Sequence, residues 1–212
     1  MINYKGKPLL QHNIELCKSY GIKDFYINLH HLPEKIKEYF GNGEGLGVNI
    51  KYAFESELLG TSGAVKKIVS DYWENDSNNE ELFFVIYGDN FSDYDLTSIK
   101  KKLKDTDSLA VIAFHFRQDT SHSGVAEFDE NQRILKFVEK PKPGESESHW
   151  VNAGIYCLKT EILSFIPEGF SDFSKDIFPE LLRRNKAIYG VCKETDVKAF
   201  DTPEMYNQNI KK

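Results

Sequence analysis

Long hydrophobic runs are scarce in this chain of 212 residues, and none approaches the length needed to cross a bilayer. The first eight residues lack the apolar stretch of a secretory signal peptide. Cysteine is nearly absent as well: the three cysteines are isolated and odd in number, which argues against a disulfide framework and is typical of a reducing compartment. We therefore expect a cytoplasmic protein with no membrane partner.

Positive charge is in deficit, because the formal net charge is -6. A surface of that sign argues against a nucleic-acid partner, whereas a small anionic ligand needs only a local positive group. Internal repeats and low-complexity linkers are also missing. With 40% hydrophobic and 28% charged residues, the composition is that of an ordinary globular protein. The length predicts one α/β domain over residues 1–212 with a substantial core.

One stretch, residues 83–90, organises the rest of the chain and reads Phe-Phe-Val-Ile-Tyr-Gly-Asp-Asn. Its five large apolar residues do not alternate with polar ones, which predicts a strand covered on both faces, as in a parallel sheet between helices. A buried helix is the competing interpretation. Asp89 follows at the expected carboxyl end of the strand, where open α/β sheets bind ligands, so it could hold a metal or meet a phosphate. The alternative is that Asp89 only caps the next turn, and its position agrees equally well with that role.

Hydrophobic periodicity predicts alternating helices and strands in the first half of the chain and antiparallel pairing in the second. The predicted helices cover residues 8–20, 33–40, a segment from Val65, 95–104, 161–165, 174–185 and a last one capped by Thr202. The predicted strands cover residues 25–29, 48–54, 83–87, 109–116, 150–158 and 187–192, with a hairpin of 124–128 and 133–139 around Asp129-Glu130-Asn131.

Two glycine-rich segments invite a ligand-binding interpretation. Residues 43–47 leave a helix and enter a strand, which is the wrong order for a dinucleotide fingerprint. Residues 58–64 run from a strand into a helix, so Gly60 and Gly63 could let the backbone approach a ligand at a helix amino terminus. A tight connection that needs glycine for its backbone angles is the alternative.

Five segments together carry a family resemblance: Leu59-Gly60-Thr61-Ser62-Gly63-Ala64, Gly88-Asp89-Asn90, Val138-Glu139-Lys140-Pro141, Asn152-Ala153-Gly154-Ile155-Tyr156 and Asp201-Thr202-Pro203-Glu204. In this order they resemble the sugar-1-phosphate nucleotidyltransferases, also called nucleotide-sugar pyrophosphorylases. The resemblance covers nearly the whole chain. It implies a Rossmann-like, three-layer α/β fold with a mixed, mainly parallel sheet and an antiparallel hairpin region. It also implies the reaction of a nucleoside triphosphate with a sugar 1-phosphate to give a nucleotide-sugar and pyrophosphate.

The resemblance also implies roles for single residues. Asp89 and Asp201 would hold Mg²⁺, a hard cation that takes oxygen ligands and bridges phosphates. Lys140 would neutralise the sugar phosphate, which makes it catalytic together with the two aspartates. The substrate-binding residues implied are Gly60, Thr61 and Gly63 along the nucleotide and sugar pocket, and Gly124, Glu139, Asn152 and Gly154 near the sugar hydroxyls.

The chain departs from the family in two places. The family opens with a strand, a Gly-x-Gly-Thr-Arg-Leu loop and a later Pro-Lys, which the sequence from Met1 does not contain. Loss of that strand from the middle of the sheet would expose backbone on both neighbouring strands. The chain also reads Asp-Thr-Pro at Asp201, where the family commonly has Asp-x-Gly-Thr-Pro. We therefore expect a truncated or degenerate member with little transferase activity.

Two other functions are compatible with the sequence. A non-catalytic subunit that binds a sugar nucleotide and regulates a partner would not need the signature loop. A glycosyltransferase that uses a nucleotide-sugar could bind a metal-diphosphate through Asp93 and Asp95. The nucleobase, the sugar and the oligomeric state, including a homo-oligomer, are left open; the short length favours a hexose or heptose 1-phosphate guanylyltransferase, such as one for mannose 1-phosphate.

Overall fold

The computed structural model describes residues 1–73, 81–195, 197–200 and 202–210. Asp201, one of the predicted metal ligands, lies outside the described residues. Within these ranges no helix is both long and apolar enough to span a membrane.

The first part of the chain alternates short strands and helices, as predicted. Its strands are β1 (Asn3–Tyr4), β2 (Lys7–Pro8), β3 (Asp24–Leu29) and β4 (Asn49–Phe54). Its helices are α1 (Leu9–Ser19), α2 (Pro33–Phe40) and α3 (Gly60–Ile68). The β1 and β2 strands form a small antiparallel hairpin, whereas β3 and β4 pair in parallel.

A six-stranded mixed sheet forms the centre of the molecule. Its strands are β5 (Leu82–Ile86), β7 (Ala110–Phe116), β8 (Gly124–Phe128), β9 (Ile134–Glu139), β10 (Trp150–Lys159) and β11 (Ile188–Lys193). The long strand β10 is antiparallel to β5, β7 and β8, while β11 is parallel to β7 and β8 pairs with β9 as the predicted hairpin. The buried-helix interpretation of residues 83–87 is therefore wrong.

The remaining elements flank this sheet. They are the two-residue strands β6 (Asn90–Phe91) and β12 (Lys198–Ala199), which pair with each other, and helices α4 (Leu96–Thr106), α5 (Phe178–Arg183) and α6 (Pro203–Ile210). The helix predicted over residues 174–185 begins as a π-helical turn, Phe173–Ile177, and the one over residues 161–165 is a 3₁₀ helix. Thr202 caps α6 by accepting a hydrogen bond from the Met205 N–H at 3.2 Å.

Alternation along the strands builds a three-layer α/β structure, which confirms the predicted fold. On β7, Ala110, Ile112 and Phe114 face a core that includes α5 and the π-helical turn. The intervening Val111 and Ala113 face a second core that includes α4 and part of α1. Both faces are apolar because each is covered by helices.

Strands β3 and β5 each use only one edge for pairing within the described residues. The N–H of Tyr87 donates to the Gly154 carbonyl, and the N–H of Thr160 donates to the Glu81 carbonyl. The backbone N–H and C=O groups of the odd-numbered residues of β5 therefore point toward β10. The backbone groups of Leu82, Phe84 and Ile86 therefore point to the other edge. All five β5 residues are only partly buried. An apolar strand predicted to be fully covered thus lies at the border of the sheet.

Candidate functional site

A bulge in β10 lies at the centre of the predicted site residues. The pairing of β10 with β7 shifts between Asn152 and Tyr156, and Gly154 adopts φ +70° at that point. A Cβ on Gly154 would lie 2.8 Å from Asn90 Nδ2 and 2.9 Å from the Tyr87 ring, so only glycine fits here. Asn152 Oδ1 accepts the Gly154 N–H at 2.9 Å and stabilises the bulge.

The amide nitrogen of Asn152 connects this bulge to two tyrosines. It donates to the Tyr156 hydroxyl at 2.7 Å and to Ser174 Oγ at 3.3 Å, and Tyr156 in turn donates to the Tyr87 hydroxyl at 3.0 Å. Burial raises the pKa of both Tyr87 and Tyr156, so both remain protonated donors at neutral pH. Asn152 Nδ2 therefore donates its hydrogen bonds to groups within the protein, and the residue holds the bulge in position.

Asp89 lies exposed beside the same bulge, just after β5. Its main-chain carbonyl accepts the Phe200 N–H at 3.0 Å, which continues the ladder between β6 and β12. The next residue, Asn90, donates from Nδ2 to the Ala153 carbonyl at 3.1 Å. The fold therefore brings the segment that ends at Phe200, directly before Asp201 in the sequence, next to Asp89.

The glycine-rich segment at α3 is docked onto the chain around Ser171. The N–H groups of Ser62 and Gly63 both donate to the Ser171 carbonyl at 3.1 Å, and the Ser171 N–H donates back to Leu59 at 2.9 Å. The hydroxyls of Ser62 and Ser171 lie 2.6 Å apart. Two amino-terminal donors of α3 are thus already used within the protein.

Side chains complete this docking. Thr61 Oγ1 donates to Asp172 Oδ1 at 2.7 Å and accepts the Phe173 N–H at 3.0 Å. A Cβ on Gly60 would collide with the Ser171 backbone, and a Cβ on Gly63 would collide with the Gly169 carbonyl. The two glycines therefore have a packing role in the structure, and ligand contact by them stays a prediction.

Glu139 and Lys140 lie at the end of β9, opposite Gly124 on β8. A Cβ on Gly124 would lie 2.7 Å from Glu139 Oε2, so the glycine makes room for that carboxylate. Burial raises the pKa of Glu139, while the charges of Lys140 and Lys175 lower it and Asp172 raises it. Lys140 is exposed and has φ +51°, a left-handed conformation that is costly for lysine. Its N–H donates to the Ser123 carbonyl at 3.1 Å.

The structure adds polar residues that the sequence patterns did not single out. They are Tyr87, Asp172 and Ser174, which hydrogen-bond to each other's neighbours in the network above, and Lys175, whose charge lowers the pKa of Glu139. Tyr87 could have been found from its place directly before Gly88-Asp89. The other three belong to a segment that reaches the site only through tertiary packing of the π-helical turn.

The acidic pair Asp93 and Asp95 has structural partners instead. Asp95 caps α4 by accepting the Thr97 N–H at 3.0 Å, and Asp93 accepts the Thr195 hydroxyl at 2.6 Å. Tyr94 between them is buried in the core. These contacts account for both carboxylates without a metal-diphosphate.

Chemically, the arrangement offers hydrogen-bonding groups around a bulge, a lysine and a partly buried carboxylate on one side, and an exposed aspartate on the other. Such groups suit a polyhydroxylated, anionic ligand. The carboxylate of Asp89 is a hard oxygen donor of the kind that Mg²⁺ prefers, so its chemistry fits that ion. In the described part of the chain, no three His, Cys, Asp or Glu side chains cluster as a complete metal site.

Sequence comparison places these residues in a known family. A family model described as "Nucleotidyl transferase" matches residues 1–198. The chain is 33% identical over 203 residues to a UTP–glucose-1-phosphate uridylyltransferase of Synechocystis sp., covering 90% of this chain and 51% of that protein. It is 34% identical over 188 residues to a D-glycero-alpha-D-manno-heptose 1-phosphate guanylyltransferase of Campylobacter jejuni, covering 87% and 75%. The chain thus spans about half the length of the Synechocystis relative.

Solved structures share the fold. HddC from Yersinia pseudotuberculosis complexed with GMP-PN superimposes with a TM-score of 0.79 at 21% identity, covering 100% of this chain and 88% of that one. A putative glucose-1-phosphate thymidylyltransferase from Bacillus anthracis superimposes with a TM-score of 0.82 at 20% identity, covering 97% and 82%. With the family model matched over residues 1–198, the chain belongs to the nucleotidyl transferase family.

Proposed function

We propose that this protein transfers a nucleotidyl group from a nucleoside triphosphate to a sugar 1-phosphate, releasing pyrophosphate. Two features of the fold support the proposal: Asn90, next to Asp89, donates to the Ala153 carbonyl at the β10 bulge, and Glu139 lies opposite Gly124 on β8, which pairs with β10 at Val151. The matched relatives named for sugar-1-phosphate nucleotidyl transfer support it.

In this proposal the residues of β8, β9 and β10 bind the sugar phosphate. Glu139 accepts hydrogen bonds from sugar hydroxyls, with Gly124 leaving space for its carboxylate, and Lys140 neutralises the phosphate. Asn152 and Gly154 shape the wall of the pocket, because Asn152 holds the bulge. Thr61, between Gly60 and Gly63, fixes the opposite wall through Asp172.

The reaction is an in-line displacement between two anions. A phosphate oxygen of the sugar 1-phosphate attacks the α-phosphorus of the triphosphate, and pyrophosphate leaves from the opposite side. The protein's contribution is to align the two anions and to offset their repulsion. Lys140 does so at the attacking phosphate. Asp89 and Asp201 would hold Mg²⁺, which when bound supplies positive charge at the phosphates.

We infer that the substrate is a hexose or heptose 1-phosphate and the transferred group guanylyl, with the Campylobacter relative as support. We place the reaction in the cytoplasm. The three cysteines support a reducing compartment: all are free thiols, and burial raises the pKa of each to about 12.

Two measurements on the 212-residue chain test the proposal. Pyrophosphate release is assayed with a panel of triphosphates and sugar 1-phosphates plus Mg²⁺, and calorimetry measures binding of the same ligands. Transfer predicts release that Lys140→Met reduces by about a hundredfold, with Lys104→Met on the far helix α4 as control. Slow release would agree with the expected member of low activity, whereas robust release would contradict that expectation. Tight binding without release would favour the non-catalytic subunit, and no binding of any sugar 1-phosphate or nucleotide would overturn both.

A further inference from the structure

The side-chain amide of Asn152 has only one possible orientation, because a backbone donor faces one of its two ends. The Gly154 N–H lies 2.9 Å from the Asn152 side chain, and a backbone N–H can donate a hydrogen bond but cannot accept one. The atom that it meets is therefore the amide oxygen, Oδ1. The amide nitrogen, Nδ2, then points toward Tyr156 Oη and Ser174 Oγ, which accept its protons at 2.7 and 3.3 Å.

Tyr156 holds the nitrogen end of this amide in place. Its hydroxyl oxygen accepts from Asn152 Nδ2, so its own proton is donated elsewhere, and the Tyr87 hydroxyl receives it at 3.0 Å. The Tyr156 ring is fully buried and packs on the rings of Phe173 and Phe178, with centroids 5.6 and 5.1 Å away. The position of the Tyr156 hydroxyl and the direction of its hydrogen bond are therefore both fixed.

The oxygen end of Asn152 keeps capacity for one more hydrogen bond. Asn152 is only half-buried, and an amide oxygen accepts two hydrogen bonds, of which the Gly154 N–H uses one. Among the described residues, no second donor reaches this oxygen, whereas Tyr156 and Ser174 take both protons of Nδ2. The group that Asn152 can offer to a ligand is therefore an acceptor and not a donor.

We propose that Tyr156 is a positioning residue that fixes the Asn152 oxygen toward the ligand, so that this point of the pocket selects a sugar hydroxyl that donates a hydrogen bond. The inference rests on the proposed function, in which Asn152 lies in the wall of the sugar pocket. A ligand group that only accepts hydrogen bonds would meet the lone pairs of Oδ1 and bind more weakly. Without the Tyr156 hydroxyl, one donor of Asn152 would lose its partner and the amide would lose its fixed orientation.

Fluorinated sugar 1-phosphates test this assignment, because fluorine replaces a hydroxyl by a group that cannot donate. Calorimetry compares glucose 1-phosphate and mannose 1-phosphate with analogues fluorinated at each hydroxyl-bearing carbon in turn. Fluorine at one position should weaken binding to the wild-type protein about tenfold. In Tyr156→Phe, which keeps the ring, the affinity for the parent sugar 1-phosphate should fall toward that of this analogue, so that the difference shrinks to less than about threefold.

A second variant and a ligand-independent measurement accompany this test. Ser174→Ala removes the other acceptor of Asn152 Nδ2 and should reduce the discrimination in the same direction. Hydrogen exchange of the Gly154 N–H, compared with other amides of β10, should be faster in Tyr156→Phe because its acceptor is no longer held. Tyr94→Phe is the matched control. It also removes a buried hydroxyl that donates to backbone carbonyls, but in the other core, and should leave both readouts unchanged.

The outcomes separate this inference from the proposed function. Unchanged Gly154 exchange in Tyr156→Phe would overturn the positioning role. Equal losses for the parent and every fluorinated analogue would also overturn the inference, because Tyr156 would then act only through the shape of the pocket. Wild-type binding with no sensitive position, or unchanged discrimination in both variants, would overturn it while the proposed function stands. If the wild-type protein bound no sugar 1-phosphate, the proposed function would fail and this inference with it.

Discussion

The two walls of the candidate pocket use their polar groups differently. The glycine-loop wall, residues 60–63 with 169–173, uses many of its donors and acceptors within the protein, including the N–H groups of Ser62 and Gly63 at the start of α3. The Glu-Lys wall, formed by Gly124, Glu139 and Lys140, leaves a carboxylate and an ammonium group available to a ligand. In the sequence, the Gly60–Gly63 motif and the Glu139-Lys140 motif look equally suited to binding. In the structure, the first mainly packs against the chain around Ser171, whereas the second leaves charged groups available to a ligand.

The largest effect, a loss of stability, is expected from Gly60→Ala, which disrupts the packing of the glycine-loop wall. The new methyl group would meet the Ser171 backbone at a residue with φ +73°, so steric overlap adds to backbone strain. We expect a loss of about 3 kcal/mol in the free energy of unfolding, measured with urea. Gly144→Ala is the matched control, because Gly144 has φ +86° and open space around it, and should cost only about 1 kcal/mol. Equal losses would show that Gly60 is needed for its angles alone.

Lys140→Gly should separate binding from stability on the Glu-Lys wall. Removing the ammonium group should weaken sugar 1-phosphate binding by about ten- to a hundredfold in calorimetry. The same change also removes the backbone strain of a lysine with a positive φ angle, because glycine adopts this conformation at little cost. It should therefore stabilise the fold by about 0.5 kcal/mol. Gln132→Gly, at a left-handed residue of the same hairpin, should give the stability gain without the loss of affinity. A Lys140→Gly protein that binds normally would contradict the role of Lys140.

Asp95→Ala probes a carboxylate outside both walls. Loss of the α4 cap should lower the free energy of unfolding by about 1 kcal/mol, while Asp95→Asn, which still caps, should cost much less. Neither variant should change metal-dependent ligand binding, in contrast to Asp89→Ala. The glycosyltransferase alternative requires the reverse: Asp93→Ala and Asp95→Asn would abolish that binding and Asp89→Ala would not.

The smallest effect is expected from Glu139→Gln, through the dependence of stability on pH. The pKa of Glu139 is raised in the folded protein, so the folded state binds the proton more tightly and stability from this group is lost as pH rises through that value. Glu139→Gln should therefore be more stable than wild type at pH 7, by less than about 1 kcal/mol, and the difference should vanish near pH 4.

Urea unfolding at both pH values measures this difference, and calorimetry should show weaker sugar binding by the same variant. Glu127→Gln, which changes a half-exposed glutamate of the same hairpin, is the matched control for the substitution itself. A Glu139→Gln protein that is less stable than wild type at pH 7 would mean that the carboxylate is stabilised by its lysines rather than destabilised by burial.

Local patterns determined most of the elements. The period of apolar residues predicts α1, α2 and α4, the turn at Asp129 predicts the β8–β9 hairpin, and both agree with the structure. Local sequence could not place the π-helical turn, because its geometry is set by Thr61 and Asn152, which lie far away in the chain. It also could not show that β10 is the strand on which β5, β7 and β8 all pair.

By itself, the sequence determined the α/β fold class and the family, because motifs such as Gly88-Asp89 and Glu139-Lys140 are contiguous and each follows the strand that presents it. Only the tertiary structure decided which of these residues remain available for chemistry. Hydrogen bonds between Thr61 and Asp172, and between Ser62 and Ser171, are long-range contacts that no local pattern encodes. The same packing brings Ser174 of the π-helical turn to Asn152 on β10, two residues that are far apart in the chain.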